Sequence, residues 1–128
     1  MVDDSRLKKL KFVCKQDALT DGGPAERFDI RRGDHTLPAF AISYAGTVHA
    51  WLNICPHRGT SLDWQPGEVF DDSGLYLICA THGALFQPDT GLCVDGPCRG
   101  ASLSAVPVEM QDGEIRLVHD NRSVGQDP

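Results

Sequence analysis

Apolar and polar residues alternate with a period of two along much of the chain, as they do where one face of a strand is buried. Leu10-Lys11-Phe12-Val13 and Arg27-Phe28-Asp29-Ile30 follow this pattern, and Ala39-Phe40-Ala41-Ile42-Ser43-Tyr44 continues it. Ala45-Gly46-Thr47 interrupts as a tight turn would, and Val48-His49-Ala50-Trp51-Leu52-Asn53-Ile54 resumes, which predicts a β-hairpin over residues 39–54. Shorter strands are predicted at Leu75-Tyr76-Leu77-Ile78 and Ala84-Leu85-Phe86. Near the end, Ser104-Ala105-Val106-Pro107-Val108-Glu109-Met110 and Glu114-Ile115-Arg116-Leu117-Val118 flank Asp112-Gly113, a strong hairpin turn signal. Helical periodicity is lacking apart from a short turn around residues 15–20. The pattern predicts an all-β fold.

Two stretches break the alternation with Gly, Pro, Cys and His, residues 55–67 and 79–100, and each follows an apolar strand. Loops held by a rigid sheet are where function concentrates. The polar ends, roughly 1–8 and 120–128, are expected to be mobile. A chain of 128 residues is expected to be one domain, large enough to bury a core without disulfides.

Four further features sharpen this picture. No apolar run approaches the ~20 residues of a membrane span. The amino terminus carries charges where a signal peptide needs an apolar stretch, so the expected compartment is a reducing one, the cytoplasm. The formal net charge of −6 argues against nucleic acid as a partner and suits a basic patch on a partner protein. Cysteines number five; in a reducing compartment, cysteines spaced with histidines read as metal ligands before disulfides.

Cys55-Pro56-His57 closes one strand, and Cys79-Ala80-Thr81-His82 another, with residues 58–78 between His57 and Cys79. Each loop offers a soft anionic sulfur and a neutral imidazole, a metal-binding pattern in itself. A single zinc ion could take all four. Zinc motifs, however, usually pair like ligands at spacings such as C-x₂₋₄-C and H-x₃₋₅-H, and a Cys-x-His pair is short for one tetrahedral centre. Two irons accommodate the spacing better, because neighbouring ligands can bind different metals.

The segments Cys55-Pro56-His57-Arg58-Gly59 and Cys79-Ala80-Thr81-His82-Gly83-Ala84-Leu85-Phe86 resemble the two cluster-binding loops of Rieske proteins. Pro88-Asp89-Thr90-Gly91 and Gly96-Pro97 resemble the turn and the proline loop that cover the cluster in that family. The likeness runs from about Trp51 to Leu103, and the spacing between the loops is a few residues longer than in many stand-alone Rieske ferredoxins. It implies a three-layer antiparallel β sandwich or barrel with a small cluster-binding subdomain at one tip. On this basis residues 9–50 and 101–119 would form the base and 51–100 the cluster-binding part. It also implies one 2Fe–2S cluster, with Cys55 and Cys79 on one iron and His57 and His82, near solvent, on the other.

Replacing two thiolates by imidazoles removes two negative charges from the centre, which eases reduction and raises the potential. High-potential members of the family place a Ser and a Tyr after the second His and link the loops by a disulfide. Ala84 and Phe86 stand at the first two positions, and Thr60 and Thr81 at the disulfide positions. The resemblance therefore implies a potential near the lower end of the Rieske range, about −150 mV. It implies a one-electron carrier between a reductase and an oxygenase or other oxidoreductase, not itself a catalyst. An accessory redox subunit, a cluster-based regulatory module and a structural zinc module are the alternatives.

Cys93 and Cys98 could form a local disulfide or bind a second metal, but are expected to be small buried thiols; Cys14 and Trp51 are expected in the core. Trp64 could shield the cluster or touch a partner, and Arg58 could present charge or simply solvate its loop. His35, His49 and His119 are scattered and carry no assignment, while Gly59 and Gly83 suit tight turns.

Overall fold

The protein, in a computed structural model describing residues 11–56, 59–63, 65–80 and 83–118, is built from β1 (Lys11–Lys15), β2 (Glu26–Arg32), β3 (His35–Tyr44), β4 (Thr47–Leu52), β5 (Leu77–Ile78), β6 (Leu85–Phe86), β7 (Cys93–Asp95), β8 (Val108–Gln111) and β9 (Glu114–Leu117). Among the described residues the helical element is one 3₁₀ turn, Gln16–Ala18, inside the predicted 15–20 segment. The strands form three antiparallel three-stranded sheets, in the orders β1-β9-β8, β2-β3-β4 and β5-β6-β7. The fold is all-β, as the alternation predicts.

β3 explains the layering. Its residues Ala39 and Ala41 join Ile30, Ala50, Leu52, Ile115 and Leu117 in one buried cluster. The intervening Phe40 and Ile42 join Trp51, Leu77, Phe86 and Leu103 in another. Successive strand residues point to opposite faces, so a strand that is apolar at every position is one buried on both. The β2-β3-β4 sheet is thus the middle layer. β1 and β9 cover one face, and the small β5-β6-β7 sheet with its loops covers the other.

The two predicted hairpin turns are present, with Ala45-Gly46 (φ 52° and 81°) and Asp112-Gly113 (φ 53° and 77°) as the central pairs. Positive φ at both positions defines a type I′ turn, whose twist matches that of paired strands. Asp21 reinforces the first turn, accepting hydrogen bonds from the Ser43 hydroxyl and the Gly46 N–H, which hold its carboxyl below the usual range.

Three departures from the sequence reading have a physical reason. β3 begins at His35 and runs through Pro38, which pairs with Asp29. Its carbonyl accepts from Asn53 N–H at 2.9 Å. A residue's N–H and C=O leave a strand on the same side, so the donor Pro38 lacks faces the end of β4, beyond the ladder. The stretch 104–107 does not open β8. Ala105 instead bridges to Trp51, with Leu52 N–H on Ser104 C=O and Val106 N–H on Ala50 C=O, until Pro107 ends the pairing. β7 lies within the stretch read as irregular. Its three residues pair with β6 across a register shift, too short for a periodic signal.

Candidate metal centre

Cys55 follows β4 and Cys79 follows β5, and each opens the same turn. In the first loop, Cys55 N–H donates to Thr60 C=O (2.7 Å) and Gly59 N–H returns to Cys55 C=O (2.7 Å). In the second, Cys79 N–H donates to Ala84 C=O (2.9 Å) and Gly83 N–H returns to Cys79 C=O (2.8 Å). Gly59 and Gly83 close these turns at φ 77° and 72°, a left-handed conformation that a side chain disfavours. The pattern occurs a third time, without a cysteine: Gln87 N–H donates to Leu92 C=O (2.9 Å), and Gly91 N–H to Gln87 C=O (2.8 Å). The sequence carries this threefold repeat as a glycine four residues after Cys55, Cys79 and Gln87. The sequence reading missed that signal.

The turns deliver both cysteines into one apolar cluster with Leu62, Ala84, Phe86 and Leu103, at 1% exposure for Cys55 and 0% for Cys79. Neither is in a disulfide. His57 and His82 lie outside the described residues, as do Arg58, Trp64, Thr81, His119 and the tails 1–8 and 120–128. His35 is exposed on β3 and His49 half-buried on β4, neither brought to the cysteines' cluster. Two buried thiols on matched loops, each loop also carrying one histidine, form a sulfur-and-nitrogen set that fits an iron–sulfur centre of mixed ligation. Ala84 and Phe86 are fully buried there and carry no hydroxyl.

Side chains that the sequence reading passed over hold the first loop in place. Asn53, 1% exposed, accepts Leu62 N–H on Oδ1 (2.7 Å) and donates Nδ2–H to Asp63 Oδ1 (3.0 Å). The second Asp63 oxygen accepts Gly67 N–H at 3.0 Å and faces Arg27 Nε at 3.3 Å. Ala80 N–H on Leu62 C=O (3.0 Å) then ties the loops together. In a Gly- and Pro-rich stretch, polar residues read as solvated, so only the strand-end position of Asn53 hinted at this network.

Two covering segments are fixed by close packing. Trp51 Nε1 donates to Pro88 C=O at 3.0 Å, and a Cβ on Gly91 would fall 2.7 Å from the Trp51 ring. Trp51 is thus core, as expected, and supports the turn at 88–91. A Cβ on Gly96 would meet the Ala84 Cα at 2.8 Å, so the Gly96-Pro97 backbone lies against the second cysteine loop.

Cys93 and Cys98 are buried thiols with sulfurs 3.0 Å apart, the bland outcome expected of them. The Cys98 thiol is pushed up to about 12, first by burial, then by hydrogen bonding to Cys93 and its charge, and by Cys55. Cys14 sits in the opposite cluster, pushed up to about 11 by burial and the Glu26 carboxylate.

Known proteins match this arrangement. The family model of the Rieske 2Fe–2S domain matches residues 9–120. A curated relative, oxidoreductase NdmD of Pseudomonas putida, is 32% identical over 78 residues. That match covers 56% of this chain and 12% of the relative, so the chain spans a small fraction of that protein's length. Among solved structures, the Sphingomonas yanoikuyae B1 ferredoxin superposes with a TM-score of 0.63 at 22% identity, over 83% of this chain and 94% of that one. The ferredoxin of carbazole 1,9a-dioxygenase from Nocardioides aromaticivorans IC177 gives 0.63 at 23%, over 84% and 95%. A chain from the complex of reduced oxygenase and oxidised ferredoxin in carbazole 1,9a-dioxygenase gives 0.65 at 23%, over 84% and 91%. These structural likenesses concern the fold. With a family model spanning nearly the whole chain, the protein belongs to the Rieske 2Fe–2S domain family, and its cofactor is one Rieske-type 2Fe–2S cluster.

Proposed function

We propose that Cys55, His57, Cys79 and His82 hold this cluster and that the protein is a one-electron carrier, taking electrons from a reductase and passing them to an oxygenase or another oxidoreductase. The observation that carries the reading is the pair of matched turns, each presenting a buried cysteine and each carrying a histidine in sequence. When bound, such a cluster supplies a one-electron couple. Cys55 and Cys79 supply anionic sulfur from inside the apolar cluster, where Leu62, Phe86 and Leu103 exclude water. Pro56, Gly59, Ala80, Gly83 and Pro97 are exposed around the loops, which leaves that tip open for a partner. Buried Ala84 and Phe86 offer no hydroxyl to a sulfur, and this supports a potential near the low end of the family range, about −150 mV.

The chain is read as a single domain, with base 9–50 and 101–119 and a cluster-binding part 51–100. We place it in the cytoplasm. No helix among the described residues is long and apolar enough to cross a membrane. The test is anaerobic purification followed by iron and labile-sulfide analysis, visible absorption and electron paramagnetic resonance after reduction. Two irons and two sulfides per chain, lost in His57→Ala and His82→Ala, with reduction by a flavin reductase and reoxidation by an oxygenase, are expected. Zinc, or a colourless protein without sulfide, would overturn it. A second reading, a redox module of a larger oxidoreductase, is favoured by the match to a short part of NdmD. Stable co-purification with an oxidoreductase distinguishes it from the free carrier.

A further inference from the structure

Ahead of β5 the fold holds two large apolar side chains in water at adjacent positions, Leu75 at 55% exposure and Tyr76 at 36%. Single exposed apolar residues are ordinary on a protein surface, whereas a contiguous group calls for a cause. The turn that carries them is firmly built. Asp71 N–H donates to Tyr76 C=O (2.9 Å) and Gly74 N–H to Asp71 C=O (3.0 Å). The Ser73 hydroxyl donates to Asp71 Oδ1 (2.7 Å) and Leu75 N–H to Ser73 Oγ (3.0 Å). A Cβ on Gly22 would fall 3.1 Å from the Gly74 carbonyl oxygen, so the turn also lies against the segment ahead of β2. The exposure of Leu75 and Tyr76 belongs to a fixed turn.

The two side chains line a shallow hollow with Tyr44, Gln87, Pro88 and Asp89. Phe70, stacked on Tyr44 with ring centroids 6.5 Å apart, leads into a second hollow lined also by Glu68, Asp71 and Asp72. Asp21 stands beside this strip, accepting from the hydroxyl of Ser43, the neighbour of Tyr44. Among the described residues no lysine or arginine lines either hollow, and neither do the exposed loop residues Pro56, Ala80 and Pro97. The strip is thus apolar along its length, edged by carboxylates, and made of residues other than those of the loop tip.

Size and charge select the occupant. The hollows hold about 190 and 200 Å³, below the roughly 300–1,000 Å³ of small-molecule pockets. A second copy of a chain with net charge −6 would set carboxylates against carboxylates, and nucleic acid or an anionic lipid would do the same with phosphate. An apolar centre within a charged rim is the anatomy of a protein interface. We propose that the strip from Tyr44 and Phe70 to Leu75 and Tyr76 docks a partner protein that presents an apolar side chain flanked by lysines or arginines. Such a partner is held on the side of the molecule while the loop tip stays free, which goes beyond the carrier reading. The face needs no cluster to form, so its test is separate from that of the metal ligands.

The probe is a fluorescent, end-blocked peptide with Leu-Phe between two pairs of lysines, titrated into the full chain at about 0.02 M ionic strength, where screening is weak. Replacing Leu75 and Tyr76 together by serine is expected to weaken binding about tenfold. Reversing charge in Asp72→Lys with Asp89→Lys should weaken it tenfold or more, by roughly the cost of juxtaposed like charges. Met110→Ser removes another exposed apolar side chain, at 47% on β8, and leaves binding unchanged. A photoreactive version of the peptide should cross-link to residues 44, 70–76 and 87–89, mapped by mass spectrometry. A peptide with Ser-Ser in place of Leu-Phe should bind about tenfold more weakly. No binding, equal binding by wild type and both double variants, or equal binding of the Ser-Ser peptide overturns the proposal. So do cross-links confined to the loop tip, or a dimer in sedimentation that the Leu75 and Tyr76 serine variant abolishes. If that variant loses its fold by circular dichroism, the charge variant and the cross-link map decide. Binding by a wild type found without iron and sulfide supports the face and overturns the ligand assignment alone.

Discussion

Asn53 is a buried side chain whose two polar ends are both used, one on Leu62 N–H and the other on Asp63. Asn53→Ala would strand a buried N–H and remove one partner of a carboxylate whose side chain is 4% exposed. Stranding such groups costs about 1–3 kcal/mol each. The expected outcome is a loss of roughly 2–3 kcal/mol in urea unfolding of the cluster-free protein, with slower cluster incorporation. A variant within 0.5 kcal/mol of wild type, the usual surface effect, would show that the network is not structural. Cys14 makes a pH prediction. Its thiol ionises near 9.0 when unperturbed and is raised to about 11 here by burial beside Glu26. A raised value in the folded state gives stability that is complete below the unfolded value and is lost as pH climbs through the folded one. Stability should therefore decline between about pH 9 and 11, and Cys14→Ala should flatten part of that slope in pH-dependent unfolding. The two cysteines of the candidate centre stood out in the sequence because the pattern is local, a thiol two or three residues from an imidazole. Asn53, Asp63 and Arg27 were not, because their partnership exists only once β2, β4 and the first loop have met.

At the scale of elements, turns explain what the sequence disclosed. Ala45-Gly46 and Asp112-Gly113 have local signatures, so the hairpins they join were legible to within a few residues. The small β5-β6-β7 sheet was only partly so, since strands of two or three residues are too brief for alternation to register. Its form depends on tertiary contacts, notably where backbone meets backbone at Gly96 and Ala84. This separates two glycine substitutions. Gly113→Ala meets nothing within 4 Å, so only the positive φ of 77° opposes it, at about 1 kcal/mol. Gly96→Ala adds a methyl 2.8 Å from the Ala84 Cα at φ 102°, and neither backbone can give way without moving the cysteine loop. It should cost more than about 2 kcal/mol and lower cluster occupancy, read as the visible absorbance per chain, whereas Gly113→Ala leaves occupancy unchanged. Equal occupancy in the two variants would detach the proline loop from the integrity of the centre.

The whole molecule carries a net charge of −6, a property no single loop determines. In the role proposed for it, the protein must dock, exchange an electron and leave, which favours small interfaces and fast association over tight binding. An acidic surface gives that association a long reach only towards a basic partner, and only while salt does not screen it. The screening length falls from about 30 Å at 0.01 M ionic strength to about 8 Å at 0.15 M, shorter than the protein itself. The second-order rate of electron transfer to a partner with a basic docking face should therefore fall roughly tenfold or more across that range in stopped-flow measurements. A small uncharged oxidant should show almost no such dependence, because it feels no steering field. A rate constant that rises with salt would mean that the partner meets the carrier through like charge. A flat one would mean that apolar contact at the exposed loop tip, around Pro56, Ala80 and Pro97, governs the encounter instead.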